Sequence, residues 1–350
     1  MKPRRYLILA EGHSADPHHG KTMRGVIRYA PDPTVAILDS ERAGQLHEGI
    51  PIVARVADSL CFGPTAALVG VAPTGGVLPP AWRELLRSSI SQGLDVISGM
   101  HVFLGDDPEL AAAARRHRVE LVDLRRPPDG VGVPTGENMR HGAAVVHTVG
   151  SDCGIGKKTM ALELHLEAHR RGLASVFVPT GQTGIAIAGW GIAVDAVVAD
   201  FVAGAGERLV VDGAKRGDLL WVEGQGALLH PYYSGVTLGL YHGCVPHLLV
   251  LCHKAGDVHI EELPEHPIPP LPRLVELYEA VALPARPATV AAVALNTMNL
   301  DEDAARMAVA AAEAATGLPT DDPVRFGAAR LVDAVLERLP THLLAEQVQS

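Results

Sequence analysis

Short apolar runs alternate with amphipathic stretches along almost the whole chain. Residues 6–10 (YLILA), 35–38, 66–71, 94–98 and 119–124 are brief and uniformly apolar, the pattern of strands buried on both faces. Between them, residues 22–29, 81–92 and 108–117 place their apolar positions at helical spacing. Gly93 follows one of these helices as a stop, and Asp107-Pro108 opens another. The alternation resumes with strands at 143–149, 174–178, 219–222, 247–251 and 289–295. The helices expected among them span 157–171, 196–207, 273–281, 301–316 and 324–339. Alternating strands and helices predict parallel sheets covered on both faces. Residues 125–142, RRPPDGVGVPTGENMRHG, separate the two series and read as a linker or an ordered crossing.

The second series opens on VVHTVGSDCGIGKKT, residues 145–159. A strand feeds a glycine loop that runs straight into a helix beginning near Lys157. In that layout the loop amides and the helix N-terminus face an anion, and the lysine adds a charge. Ser151 to Lys157 has the loop length of a Walker A motif. Ser151 stands where its first glycine normally sits, and Lys158 precedes the hydroxyl residue Thr159. Gly150 supplies flexibility just before the loop. A ligand-free strand–helix turn would use the same glycines. The phosphate-binding candidates are therefore Ser151, Asp152, Cys153, Gly154, Ile155, Gly156, Lys157, Lys158 and Thr159. The strand at 219–222 ends in Glu223, followed by GQG, which is a Walker B arrangement for Mg²⁺. The fold expected is α/β: an N-terminal Rossmann-like parallel-sheet domain over 1–139, then a P-loop NTPase-like α/β domain over 140–350.

Other polar residues fall at predicted strand ends, where open α/β sheets place ligands. Gln182 and Thr183, in PTGQTGIAIAGWG, suit contacts to substrate or phosphate, and an irregular glycine turn is the other reading. LLHPYYSGVTLGLYHG gathers His230, Tyr232, Tyr233, Ser234 and Thr237, either as a substrate lining or as tyrosines packed with their hydroxyls at the surface. Lys254 follows a strand and could meet an anion. Lys157, Lys254 and His230 are the catalytic candidates, and Tyr233 and Ser234 join Gln182 and Thr183 as substrate contacts. His253 is an acid or base candidate, although a lone histidine at a strand end is more often structural. Asn296 ends a late strand, and its amide offers a purine edge both a donor and an acceptor. In the first series, Asp39 ends the second strand, where a ribose-binding carboxylate sits in dinucleotide folds. The glycine fingerprint is absent there, so a scaffold with a capped loop is the better reading. His13, His18 and His19 suggest a metal site, but nothing in the sequence fixes their geometry, which favours a solvated loop.

Composition narrows the classes. The chain is 47% apolar but only 4% aromatic, so its core must be aliphatic. A net charge of −10 without a basic run argues against nucleic acid as a partner. No stretch approaches the ~20 apolar residues of a membrane span. The apolar run after MKPRR is too short for a signal-peptide core. Cys61, Cys153, Cys244 and Cys252 form no CxxC pair and read as reduced thiols, so a cytoplasmic location is expected. The expected partner is a small amino acid or carboxylate, and a homo-oligomer is left open.

With these residues in view, the chain resembles the family called domain of unknown function 1611. The likeness is carried by AEG, KTMRGVIRY, SGMHVFLGDDPE, GSDCGIGKKT, PTGQTG and VEGQGAL. The phosphate domain is also similar to dethiobiotin synthetase, with its G-[ST]-D-x-x-[VI]-G-K loop. That second resemblance implies that Lys157 and Thr159 bind phosphate and metal, that Glu223 binds metal with Asp152 beside it, and that Asn296 contacts adenine. The extra Lys158 departs from the pattern and bears on the role of Thr159. The family resemblance implies N-acetyl transfer to a D-glutamate-like amino acid, with acetyl-CoA at the loop. ATP with Mg²⁺, in a ligase or phosphotransferase, is the alternative, and a non-catalytic nucleotide sensor is the third.

Overall fold

The structure, a computed structural model, describes residues 3–16, 19–71 and 80–344. His18 lies outside the described residues, as does all of the PTGGVLPP turn except Pro80. The chain forms two compact units. One comprises Met1–Pro127 with Gln182–Ala196, and the other Pro128–Gly181 with Val197–Ser350. Both are α/β and built on mostly parallel sheets, as the strand–helix alternation predicts.

The first unit holds seven strands: β1 (Tyr6–Leu9), β2 (Thr34–Leu38), β3 (Leu46–His47), β4 (Ile50–Val53), β5 (Ala66–Val69), β6 (Asp95–Ser98) and β7 (Leu121–Asp123). Their order is β3-β4-β2-β1-β5-β6-β7, parallel except for the β3–β4 hairpin. The hairpin escaped the sequence reading because its strands are short and half-polar. β1 and β5 are wholly buried, which is why they read as unbroken apolar runs. Asp39 is 1% exposed and is fully engaged with its neighbours. Its carboxylate accepts the amides of Gly12 (3.2 Å), Ser14 (3.1 Å) and Glu41 (3.2 Å), and the Ser14 hydroxyl. It caps the loop after β1, in line with the capped-loop reading.

The second unit contains β8 (Ala144–Gly150), β9 (Ser175–Val178), β10 (Leu219–Val222), β11 (Leu248–Lys254), β14 (Thr289–Asn296) and β15 (Thr320–Asp321), with a separate hairpin of β12 (His259–Ile260) and β13 (Leu263–Pro267). The sheet order is β15-β14-β11-β8-β10-β9, and every pair is parallel. Parallel pairing demands crossovers, and helices supply them on both faces. The strand order reverses at β8, so the crevice beyond its carboxyl end is the place where such sheets bind ligands. All seven residues of β8 are buried. The core is aliphatic, with Trp221, Tyr241 and Tyr278 its largest fully buried side chains. The Trp221 indole N–H is satisfied by Ser175 Oγ at 3.0 Å.

Several elements differ from the sequence expectation. The helix expected over 196–207 is Val202–Ala214, because Val194–Ala196 and Ala199–Phe201 form separate single turns first. Gln182–Ala188 is a helix rather than an irregular glycine turn, and Ser234–Cys244 is a further helix. The glycines of the first allow a turn, but burial of Ile185, Ala186 and Ile187 favours the helix. The helix expected over 324–339 is Ala329–Arg338, starting five residues later than expected. The β12–β13 hairpin is a further element that the strand pattern did not show. No helix among the described residues is long and apolar enough to cross a membrane.

The glycine-rich linker is packed on the second unit by one carboxylate. Glu207, from the Val202–Ala214 helix and 5% exposed, accepts the amides of Thr135 (2.5 Å), Gly136 (3.3 Å) and Glu137 (2.8 Å) and the Thr135 hydroxyl (3.0 Å). Burial pushes its carboxyl pKa up, but these donors outweigh burial and hold it below the usual value. A depressed folded pKa stabilises above the unfolded value and is lost as pH falls through the folded one. Glu207→Gln should therefore cost on the order of 2 kcal/mol at pH 7, as for hydrogen bonds to a charged group. Calorimetric melts of wild type and variant should converge as pH drops below about 4.5.

Candidate active site

The carboxyl ends of β8, β9, β10, β11 and β14 bring most of the sequence candidates together within the second unit. β8 delivers the chain into Ser151–Gly156, and the Lys157–Arg170 helix begins at once. Gly154 and Gly156 have φ of 67° and 114°, values that favour glycine and turn the loop back on itself. No side chain caps the helix, so its first amides are left to a ligand or solvent.

Lys157 is 6% exposed. Its ammonium donates to the Asp152 carbonyl at 2.5 Å, folding the side chain back over the loop. Burial lowers its pKa, while Cys153, Cys252, Asp152 and Glu223 oppose that shift. Cys252, under the loop, is pushed up to about 12 by burial and so stays a thiol.

Glu223 is 4% exposed and ends β10 beside the loop. Its Oε2 accepts the amides of Thr180 (2.9 Å) and Gly181 (3.2 Å), joining the ends of β9 and β10. The next residue cannot carry a side chain. A Cβ on Gly224 would lie 1.9 Å from the Thr148 carbonyl oxygen and 2.8 Å from Lys157 Cδ. Thr148 Oγ1 donates to Val222 O (3.0 Å) and accepts from Gly224 N (3.0 Å), locking this approach.

Asp152 accepts Cys153 N and Glu261 N, each at 2.6 Å, on its two oxygens. Asn296 donates to Ile155 O (2.9 Å) and accepts Met298 N (3.1 Å), so its amide braces the loop from β14. Ser151 Oγ lies 2.9 Å from His253 Nδ1. Burial lowers the His253 pKa, against an opposing effect of Asp257, which favours the neutral ring at pH 7. Lys254 pairs with Asp257 at 3.5 Å. Thr159 and Lys158 are half-buried in the first turn of the helix.

His230 is 5% exposed and packs against the Tyr233 ring at 4.6 Å. Its Nδ1 accepts the Tyr232 amide (3.2 Å), which assigns the ring proton to Nε2. Nε2 is 4.0 Å from Asp152 Oδ1. Ligand atoms of Asp152, Cys153 and His230 all lie within 4.8 Å of one another. In this tautomer His230 offers a donor, which suits an anion better than a metal ion. Tyr233 caps and Ser234 begins the Ser234–Cys244 helix. Thr237 bonds to Gln225 O (2.9 Å) and Tyr233 O (3.0 Å), a role within its own helix and turn.

Gln182 and Thr183 belong to the first unit. Thr183 Oγ1 lies 2.7 Å from Thr22 Oγ1, and Gln182 accepts from Arg125 (3.3 Å). The PTGQTG segment thus divides. Thr180 and Gly181 line the second unit's site, and the next residue starts a helix of the first unit.

Sequence reasoning missed Tyr278. Its buried hydroxyl accepts Gly150 N (3.3 Å) and Leu228 N (3.0 Å) and donates to Gly150 O (2.6 Å). One phenol ties the end of β8 to the segment after β10. No motif marks it, because it sits inside an ordinary amphipathic helix, Leu271–Ala280.

Comparisons with known proteins agree with this architecture. Residues 132–332 match the family described as domain of unknown function (DUF1611_C) P-loop domain. Residues 39–127 match domain of unknown function (DUF1611_N) Rossmann-like domain. A protein of Tritonibacter scottomollicae named D-glutamate N-acetyltransferase is 35% identical over 94% of this chain and 97% of its own. A second of that name, from a Pseudoalteromonas species, is 35% identical over 59% of this chain and 62% of its own. The crystal structure of a family protein from Anabaena variabilis is 40% identical, with a TM-score of 0.89 over 95% of this chain and 99% of that one.

Two variants test the site. Lys157→Ala should weaken binding of a nucleotide or coenzyme A by about 1.5–3 kcal/mol, as expected for a lost charge-assisted contact. Isothermal titration on a variant with a wild-type circular-dichroism spectrum reads this directly, and unchanged affinity removes the lysine from the phosphate role. Tyr278→Phe leaves two amides and a carbonyl without the hydroxyl. It should lower stability by about 1–3 kcal/mol, read as a lower denaturant midpoint at an unchanged slope.

Proposed function

The chain belongs to the DUF1611 family, and from that premise we propose that it transfers an acetyl group from acetyl-CoA to the amino group of a D-glutamate-like amino acid. The observation that carries this reading is the relative named D-glutamate N-acetyltransferase, 35% identical along 94% of the chain. In the reaction the thioester C–S bond breaks, an amide C–N bond forms, and the coenzyme leaves as a thiol.

The phosphate loop supports a nucleotide-containing co-substrate. Its positive-φ glycines, the uncapped helix start and the buried Lys157 ammonium together make an anion cradle. On this reading Ser151 to Thr159 hold the coenzyme's diphosphate, and Lys157 turns from the Asp152 carbonyl to the phosphate oxygens. Asn296 keeps one amide N–H for the adenine edge. His230 Nε2–H is a further donor to an anion at the loop. Lys254, Tyr233 and Ser234 remain candidates for the substrate's carboxylates.

A second reading rests on Glu223, which ends the strand beside the loop in a Walker B layout. There the loop holds ATP, and Thr159 and Glu223, with Asp152 nearby, hold Mg²⁺ for ligation or phosphoryl transfer. One assay separates the readings. The protein is incubated with D-glutamate and either acetyl-CoA or Mg-ATP, and free thiol and ADP are followed. Thiol release that depends on D-glutamate, without ADP, is expected. ADP release that depends on substrate, without thiol, would replace the acyltransferase reading with the ligase. Nucleotide binding with no turnover across an amino-acid panel would favour a sensor.

A further inference from the structure

We propose that the loop after β1 holds a single zinc-class metal ion on His13, Asp16 and His19. One ring nitrogen of each histidine and one carboxylate oxygen of Asp16 all lie within 4.8 Å of one another. The two rings face each other at 4.9 Å between centroids, and all three residues are half-buried.

The backbone holds this arrangement. His13 N bonds to Ala10 O (2.8 Å), Asp16 N to His13 O (3.0 Å), and Gly20 N to Asp16 O (3.0 Å). Successive turns therefore place the three side chains at intervals of three residues on one side of the loop. Upstream, the buried Asp39 carboxylate anchors Gly12 and Ser14, immediately beside His13. Asp16 takes the His19 amide on Oδ1 (3.2 Å), and its Oδ2 contacts His19 Nδ1. The sequence showed the histidines but gave no reason to include Asp16.

The donor set selects the ion. Two imidazoles separated by five residues, with one carboxylate, suit zinc and its borderline neighbours. Magnesium and calcium prefer all-oxygen sites. Three protein ligands leave a fourth tetrahedral position for water or a substrate oxygen. The loop leaves the carboxyl end of a central parallel strand, the edge where such sheets bind ligands. This site shares no residue with the phosphate loop and does not depend on the acyltransfer reading.

The test uses full-length protein freed of metal by chelator and dialysis, titrated with zinc chloride against a chromophoric zinc indicator. Wild type and Cys153→Ser should each bind one equivalent tightly. His13→Ala/His19→Ala and, separately, Asp16→Asn should lose about 100-fold in affinity or more, the upper end of what even outer-shell partners contribute. X-ray absorption of the wild-type zinc complex should show only nitrogen and oxygen ligands, which keeps the test decisive should a variant fail to fold. Absence of zinc binding, unchanged affinity in the double variant, or sulfur in the first shell would overturn the assignment. The sulfur result would place the ion at the Asp152–Cys153–His230 cluster instead.

Discussion

A buried ammonium organises the second unit. An unpaired charge in a protein interior costs several kcal/mol, so it persists only where fixed acceptors surround it. Lys157 is held by a carbonyl of its own loop, with the Asp152 and Glu223 carboxylates contributing favourable charge. Each neighbouring feature serves that placement. The missing side chain at Gly224 lets the turn after β10 pass against the lysine stem, and Thr148 fixes that approach. Tyr278 fixes the end of β8 from below, and Asn296 fixes the loop from β14. The result is a loop braced from several strands, with the Lys157 ammonium held against a backbone carbonyl of that loop.

The buried carboxylates of the two units show how one residue type takes different roles by environment. Asp152 has each oxygen on a backbone amide, and Glu223 joins two strand ends through its Oε2. Glu207 holds a glycine-rich strap, and Asp39 does the same for the loop after β1. All four are nearly inaccessible to solvent. In each case backbone N–H groups of a loop offset the loss of hydration, so a buried acid becomes a tie for irregular chain. A carboxylate at the end of a strand is thus ambiguous in sequence, because loop capping and ligand binding call for the same residue at the same place.

Much of the fold was legible. β8, β10 and β14 are buried on both faces, so their sequences are unbroken apolar runs, and the helices between them carry clear stops such as Gly317. Helices went unread where the sequence is glycine-rich, at Gln182–Ala188 and Ser234–Cys244. So did the two-residue strands β3 and β15, which are too short to show a period. The glycine–lysine loop and the acid after β10 were legible because their spacing is local, one loop and one strand end. Tyr278, Thr148 and Asp16 were not, because their contacts depend on which distant segments the sheet brings together.

The sequence by itself determined the α/β class, the phosphate-type loop and the strand-end acid beside it. These follow from short-range rules: hydrophobic period, glycine placement and the order of residues along one turn. Tertiary structure alone decided which candidates share a site. It placed Glu223, Asn296, His230 and His253 around the loop, because parallel strands far apart in sequence end on the same edge. It assigned Gln182 and Thr183 to the other unit, although only Gly181 stands between Thr180 and Gln182. It also brought the Asp16 carboxylate within 4.8 Å of ring nitrogens of His13 and His19, which the spacing of the histidines alone does not reveal. Pattern along the chain records what each segment must bury. It does not record which segments lie side by side, and that adjacency is what makes a set of polar residues into a site.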